Sequence, residues 1–281
     1  MLTMLHYSTI SRKALFSNHV KRVGSLALLV IVSGCAVFSG QPEVPLNDEV
    51  TEWVLESLRQ REARIRSVKG LFRASVSGSS VLPISQNLDG VLFYERPYLI
   101  RLRGFARVGG TIFEFQRDGD YYKLNIPSSG KAVQGQITAL DDSQDVSRIV
   151  EMSIRTMDAI LGKFDDADGS KVLLYQDGEN FRLDIQNMIE MEGKNNDPLM
   201  TRVWVNRDTF DVIQVEYLIE DEEAIMVVEC SDFRAVKSKD PSISSPIRLP
   251  FHIRAEDLRS QGGSMTLTFQ ELAANAESAP I

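Results

Sequence analysis

Few side chains in this sequence have the type and spacing for covalent chemistry. The chain of 281 residues holds 3 His and 2 Cys. His6 and His19 fall in its first stretch, which leaves His252 between Phe251 and Ile253. A Ser or Cys nucleophile would have that one imidazole as its base. Cys230, close to Val228, reads as a small buried hydrophobe rather than a reactive thiol. Glu220, Asp221, Glu222 and Glu223 are consecutive, without the alternation of a calcium loop, and read as a solvated hairpin tip. Neither Gly109-Gly110 nor Gly193 leads into a helix start with Lys-Ser/Thr, so no phosphate loop is expected. The reading is therefore of a non-enzyme with no catalytic residue, no metal and no cofactor. Carboxylates paired from distant strands, as in glycoside hydrolysis, are not legible at this level.

The remaining candidate is Cys35, and its setting is informative. Net charge is −8 overall, which argues against nucleic acid as a partner. Four of the 31 basic residues and none of the 39 acidic ones fall in residues 1–34, so the remainder carries −12. A basic start (Arg12, Lys13, Lys21, Arg22) precedes the apolar run 23–32, the form of a secretory signal. That run is far shorter than the roughly 20 residues that span a bilayer.

The run ends in Val32-Ser33-Gly34-Cys35, which resembles the lipobox of bacterial lipoproteins. The resemblance implies cleavage before Cys35, acylation of its thiol and a lipid anchor in the bacterial envelope. Two or more acyl chains give stable anchoring. Ala36, where an Asp would favour inner-membrane retention, implies the outer membrane, facing the periplasm. The expected organisation is a signal over 1–34, an acylated Cys and tether over 35–47, one domain over 48–272 and a flexible tail over 273–281.

The elements that position any site follow from periodicity. Val50, Trp53, Val54, Leu58 and Ile65 fall near helical spacing and predict a helix over 48–66. From 68 to 136 the period becomes two, broken by Arg96-Pro97, Gly109-Gly110, Asp118-Gly119 and 127–130, which predicts an antiparallel meander. Val146, Ile149, Val150, Ile154, Met157, Ile160 and Leu161 predict a second helix over 143–161. Alternating segments resume at 172–176, 181–185, 202–206, 212–218, 226–233, 249–255 and 265–272. The fold class is mainly β, with 11 to 13 strands and two helices. Two helices cannot cover a flat sheet of that size, so the expected architecture is a strongly curved open barrel plugged by them.

This order, with the strings 70–74, 88–102 and 205–213, resembles the LolA/LolB superfamily of lipoprotein carriers. The resemblance implies an unclosed barrel that holds acyl chains, with the lipid-anchored, LolB-like receptor end fitting better than the soluble carrier. It implies acyl chains of lipoproteins or lipids as ligand, the membrane through the Cys35 anchor, and a periplasmic carrier protein as partner. Ile100, Leu102, Phe113, Phe115 and Leu124 share one parity on successive strands and, with Met157, are the expected cavity lining beneath the second helix. The opposite parity carries Arg101, Arg103, Glu114, Gln116, Lys123 and Asn125, which belong in water. The family's membrane-touching loop maps to 104–110, with Phe105 or Val108 at its tip or Phe105 folded into the core. A sensing or scaffold module on the same fold is the alternative function. An open apolar concavity favours carriage, and a filled one favours the scaffold.

Overall fold

Asn47 opens the first helix, its side chain accepting from Val50 N–H at 2.9 Å. The structure, a computed structural model, describes residues 44–276 except 79–85, 107–108, 141–144, 165–169, 187–199, 220–221, 237, 244 and 261. Cys35 and Val108 therefore lie outside the described residues, as do the 1–34 segment and most of the tether. Helix α1 is Asp48–Ala63, with Asp48 and Glu49 complementing the positive end of its dipole. Val54 and Leu58 are buried, and Ile65, just past the helix, is buried too. Trp53 departs from the expected apolar stripe, with 54% of its surface exposed. It lies edge-on to Phe181 and Phe210 with ring centroids 6.4 and 5.2 Å away.

Thirteen strands follow among the described residues. The first meander is β1 Ser67–Ser77, β2 Gln86–Glu95, β3 Leu99–Phe105, β4 Thr111–Asp118, β5 Tyr121–Ile126 and β6 Lys131–Gln136. Helix α2, Asp145–Leu161, comes next. The second meander is β7 Lys171–Asp177, β8 Asn180–Gln186, β9 Met200–Asn206, β10 Val212–Leu218, β11 Ala224–Val236, β12 Ile247–Asp257 and β13 Ser264–Ala274. All thirteen form one antiparallel sheet in the order β6-β5-β4-β3-β2-β1-β13-β12-β11-β10-β9-β8-β7. The two meanders are thus joined by the pairing of the first strand with the last. The edges β6 and β7 are the strands that flank α2 in sequence, so the chain passes from one edge of the sheet to the other through α2.

Residues 273–275, expected in a flexible tail, belong to the β1–β13 seam. Ala274 is fully buried and still paired with Val68. Asn275 Oδ1 accepts from Arg66 N–H at 2.7 Å, and its Nδ2 donates to Arg64 O at 2.9 Å.

The sheet buries one face. On β1, Val68, Phe72, Ala74 and Val76 point inward, while Leu71, Arg73 and Ser75 point out. Where the inward position is glycine, an aromatic ring fills the space. A Cβ on Gly90 would run into the Phe72 ring and lie 2.8 Å from Arg103 O, and one on Gly104 would meet Phe113.

Helix α2 rests on β10, β11 and β12. Val150, Ile154, Met157, Ile160 and Leu161 are buried as its stripe predicts. It ends in a Schellman turn: Lys163 N–H donates to Asp158 O at 2.8 Å and Gly162 N–H to Ala159 O at 3.2 Å, with Gly162 at φ +67°.

Candidate functional site

The strand register carries the apolar lining across the first wing of the sheet. Leu92 pairs with Leu102, Leu102 with Phe115, Phe115 with Leu124, and Leu124 with Val133. This makes one row of inward apolar side chains from β2 to β6. Ile100, Leu102, Phe115, Leu124 and Met157 join one hydrophobic cluster, and Phe113 packs against it half-buried. The six residues expected at the cavity thus share one interior. That interior is close-packed, with Phe115, Leu124 and Met157 each 1% exposed.

The expected membrane loop is differently placed. Phe105 is the last residue of β3, paired with Asp89 and Thr111, not a loop tip. Its parity is that of Arg101 and Arg103, so it lies half-buried on the outer face, not in the core. Beyond it, Ala106 N–H donates to Gly110 O at 3.1 Å.

Arg103 and Glu114 form an ion pair on the outer face, in a groove of about 260 Å³ that Arg101 and Gln116 share. A second outer groove, of about 350 Å³, is lined by Leu71, Val91 and Leu272 between Lys69 and Glu271.

The sequence reading did not anticipate a cavity of about 240 Å³ beside the last turns of α2. Ile154, Arg155 and Asp158 of α2, with Lys163 just after it, form one side. Arg117 at the end of β4 and Tyr217 of β10 line it from opposite wings of the sheet. Arg155 is ion-paired with Glu151 and lies 4.3 Å from the Tyr217 ring centroid. The Tyr217 hydroxyl donates to Arg155 O at 3.4 Å, and burial raises its pKa. Glu151 also accepts from Arg259 at 2.7 Å, and Arg259 holds Asp257 at 2.8 Å, so this acid is shared by two guanidinium groups. A signal existed in the sequence. Arg117 occupies the same parity as Phe113 and Phe115, which puts a cation on the inward face.

The titratable groups weighed for chemistry are apart. Cys230 pairs in register with Ile253, and His252 with Ser231, so the thiol and the imidazole point to opposite faces. Burial pushes the Cys230 thiol up to about 12, the reverse of an activated nucleophile. His252 Nδ1 lies 3.2 Å from Thr268 Oγ1. Glu222 at the acidic tip is bonded by Arg202 at 2.9 Å. Among the described residues no group of three or more His, Cys, Asp or Glu is placed to hold a metal ion. No helix among them is long and apolar enough to cross a membrane.

No family model and no curated protein matches the sequence. Solved structures do match. A DUF1329 family protein from Desulfovibrio piger superposes with a TM-score of 0.57 at 12% identity, over 82% of this chain and 94% of that one. A domain assigned to outer membrane lipoprotein sorting, from Vibrio parahaemolyticus, gives 0.52 at 12% identity, over 82% of this chain and 95% of that one. The fold is LolA/LolB-like. A LolA superfamily protein from Nitrosomonas europaea aligns at 10% identity and a TM-score of 0.48, over 79% of this chain and 94% of that one. At these identities the likeness is one of fold. Within this LolA/LolB-like sheet, the row Leu92–Leu102–Phe115–Leu124–Val133 faces inward.

Proposed function

We propose that this chain is a lipid-anchored envelope protein that binds acyl chains inside its LolA/LolB-like sheet. Its place is the outer membrane, facing the periplasm, with Cys35 carrying the anchor. The observation that carries this reading is the inward apolar row from β2 to β6, which shares one hydrophobic cluster with the buried side of α2. An acyl chain takes the place of α2 side chains such as Met157, so loading requires α2 to shift. No bond is made or broken. Each methylene exchanges water for an apolar neighbour, worth about 0.8 kcal/mol. Hand-over between a carrier and this receptor then runs toward the tighter site or the membrane, without an energy source. Lipoprotein sorting or insertion is the process that such transfer serves.

One observation favours a second reading, a sensing or scaffold module. The interior is filled by the protein's own side chains. The two separate by binding of a fluorescent fatty-acid probe to the full chain. Carriage expects saturable binding that Phe113→Glu weakens at least tenfold, because a carboxylate beside Gly104 opposes an apolar guest. No binding by the folded wild-type chain selects the scaffold.

A further inference from the structure

We propose that the cavity beside the end of α2 is an anionic head-group site, which seats the carboxylate or phosphate of an amphiphile whose alkyl chain enters the interior. The inference rests on the acyl-binding reading and adds the ligand's head to it. Three cations line the cavity, Arg117, Arg155 and Lys163, against one acid, Asp158. Glu151 neutralises Arg155. Arg117 and Lys163 have no carboxylate at ion-pair distance among the described residues. They attend the same aromatic ring instead: Lys163 Nζ is 3.8 Å and Arg117 Cζ 5.1 Å from the Tyr98 centroid.

Two like charges about one ring repel unless an anion joins them. Arg155 Nη1 is buried with no hydrogen-bond partner among the described residues, a donor that lacks an acceptor. Its guanidinium is already oriented by Glu151 and Tyr217, so little order is lost on binding. The chain as a whole is acidic, at −8, which makes this a local reversal of sign.

Size and the remaining wall select an amphiphile. At about 240 Å³ the cavity is smaller than the roughly 300–1,000 Å³ of complete ligand sites. It holds a head and its first methylenes, not a whole lipid. Ile154 and Phe164 supply apolar contact beside the cations. Ile154 is also part of the buried cluster, so the cavity borders the core.

Calorimetry on the full chain, in one non-ionic detergent throughout, tests this with octyl phosphate, octanoate, octanol and inorganic phosphate. The two anionic amphiphiles are expected to bind at least tenfold more tightly than octanol. Lys163→Gln combined with Arg117→Gln should remove that advantage and leave octanol binding unchanged, whereas Lys163→Arg should retain it. Lys163→Gln alone, in a segment outside the sheet, gives a partial loss if the double variant fails to fold. Equal binding of octanol and the anions overturns the head-group site and leaves acyl binding standing. Inorganic phosphate binding as tightly as octyl phosphate also overturns it, since the site then takes a small anion. Failure of every eight-carbon ligand defeats both readings.

Discussion

Gly162, which ends α2, stands directly against Arg61 of α1: a Cβ built on it would lie 2.7 Å from Arg61 Nη1. Arg61 in turn faces Asp211 at 3.7 Å and donates to Arg248 O at 3.0 Å. The end of one helix, the flank of the other and two strand ends therefore converge on one guanidinium. Burial lowers the pKa of that guanidinium, against the opposing pull of Asp211.

Gly162→Ala should accordingly destabilise the fold. A side chain in the left-handed region costs roughly 1–2 kcal/mol, before Arg61 is displaced. For a domain of this size that lowers the melting temperature by about 4 °C. An unchanged melting curve would show that this junction tolerates a methyl group and does not couple the helices.

Alkaline pH should weaken the fold. The Cys230 thiol ionises near 9 when unfolded and is pushed up to about 12 by burial. Below pH 9 both states are protonated and stability is intact. Between 9 and 12 the unfolded state alone loses the proton, so stability falls as pH rises. Burial raises Tyr94 to about 12 as well, and its contribution is lost in the same direction from pH 10 upward. The slope is about 1 kcal/mol per pH unit for each group. Denaturant titrations at pH 8, 9.5 and 11 measure it. Cys230→Ala should flatten the part that begins at pH 9.

Met157→Ala separates packing from cargo. Removing a side chain that is 1% exposed should cost about 2–5 kcal/mol of stability. The cavity left behind is apolar, the kind of space that accepts an apolar guest. The acyl-binding reading therefore expects lower stability with tighter probe binding. Lower stability with no gain in binding counts against cargo beneath α2.

Cys35→Ser should abolish palmitate labelling and release the protein from the membrane fraction. A variant recovered in the membrane pellet with its label intact refutes the lipobox reading.

His252→Ala should leave function in cells unaltered. Loss of function at an unchanged melting temperature would reopen enzymatic chemistry at the outer face of β12.

The alternation at 100–102, 113–115 and 122–126 reads directly as strands with an inward parity, and Ile100, Leu102, Phe115 and Leu124 are buried accordingly. Side-chain direction in a strand is set by the next residue, so it is visible in a short window. The stripe of α2 is legible for the same reason at a period of 3.6. Phe105 was harder. Its assignment to a tip or to the core depended on where β3 stops, and the strand runs through it to pair with Asp89 and Thr111. Trp53 has helical spacing for burial yet stays half in water, with the rings of Phe181 and Phe210 nearly perpendicular to its own.

By itself, then, the sequence determined the element order, the two parities and the uneven charge, basic over residues 1–34 and acidic beyond them. Each is a local property of neighbouring residues or of composition. Tertiary structure alone decided that β1 pairs with β13, which holds Ala274 in the sheet rather than in a tail. It also decided that α2 lies on β10, β11 and β12 and that Met157 is buried in the common core. The cavity of Arg117, Arg155 and Lys163 exists for the same reason. Its walls come from β4, the end of α2 and β10, segments whose separation along the chain carries no periodic signal, and only the closing of the sheet around the helix brings their charges together.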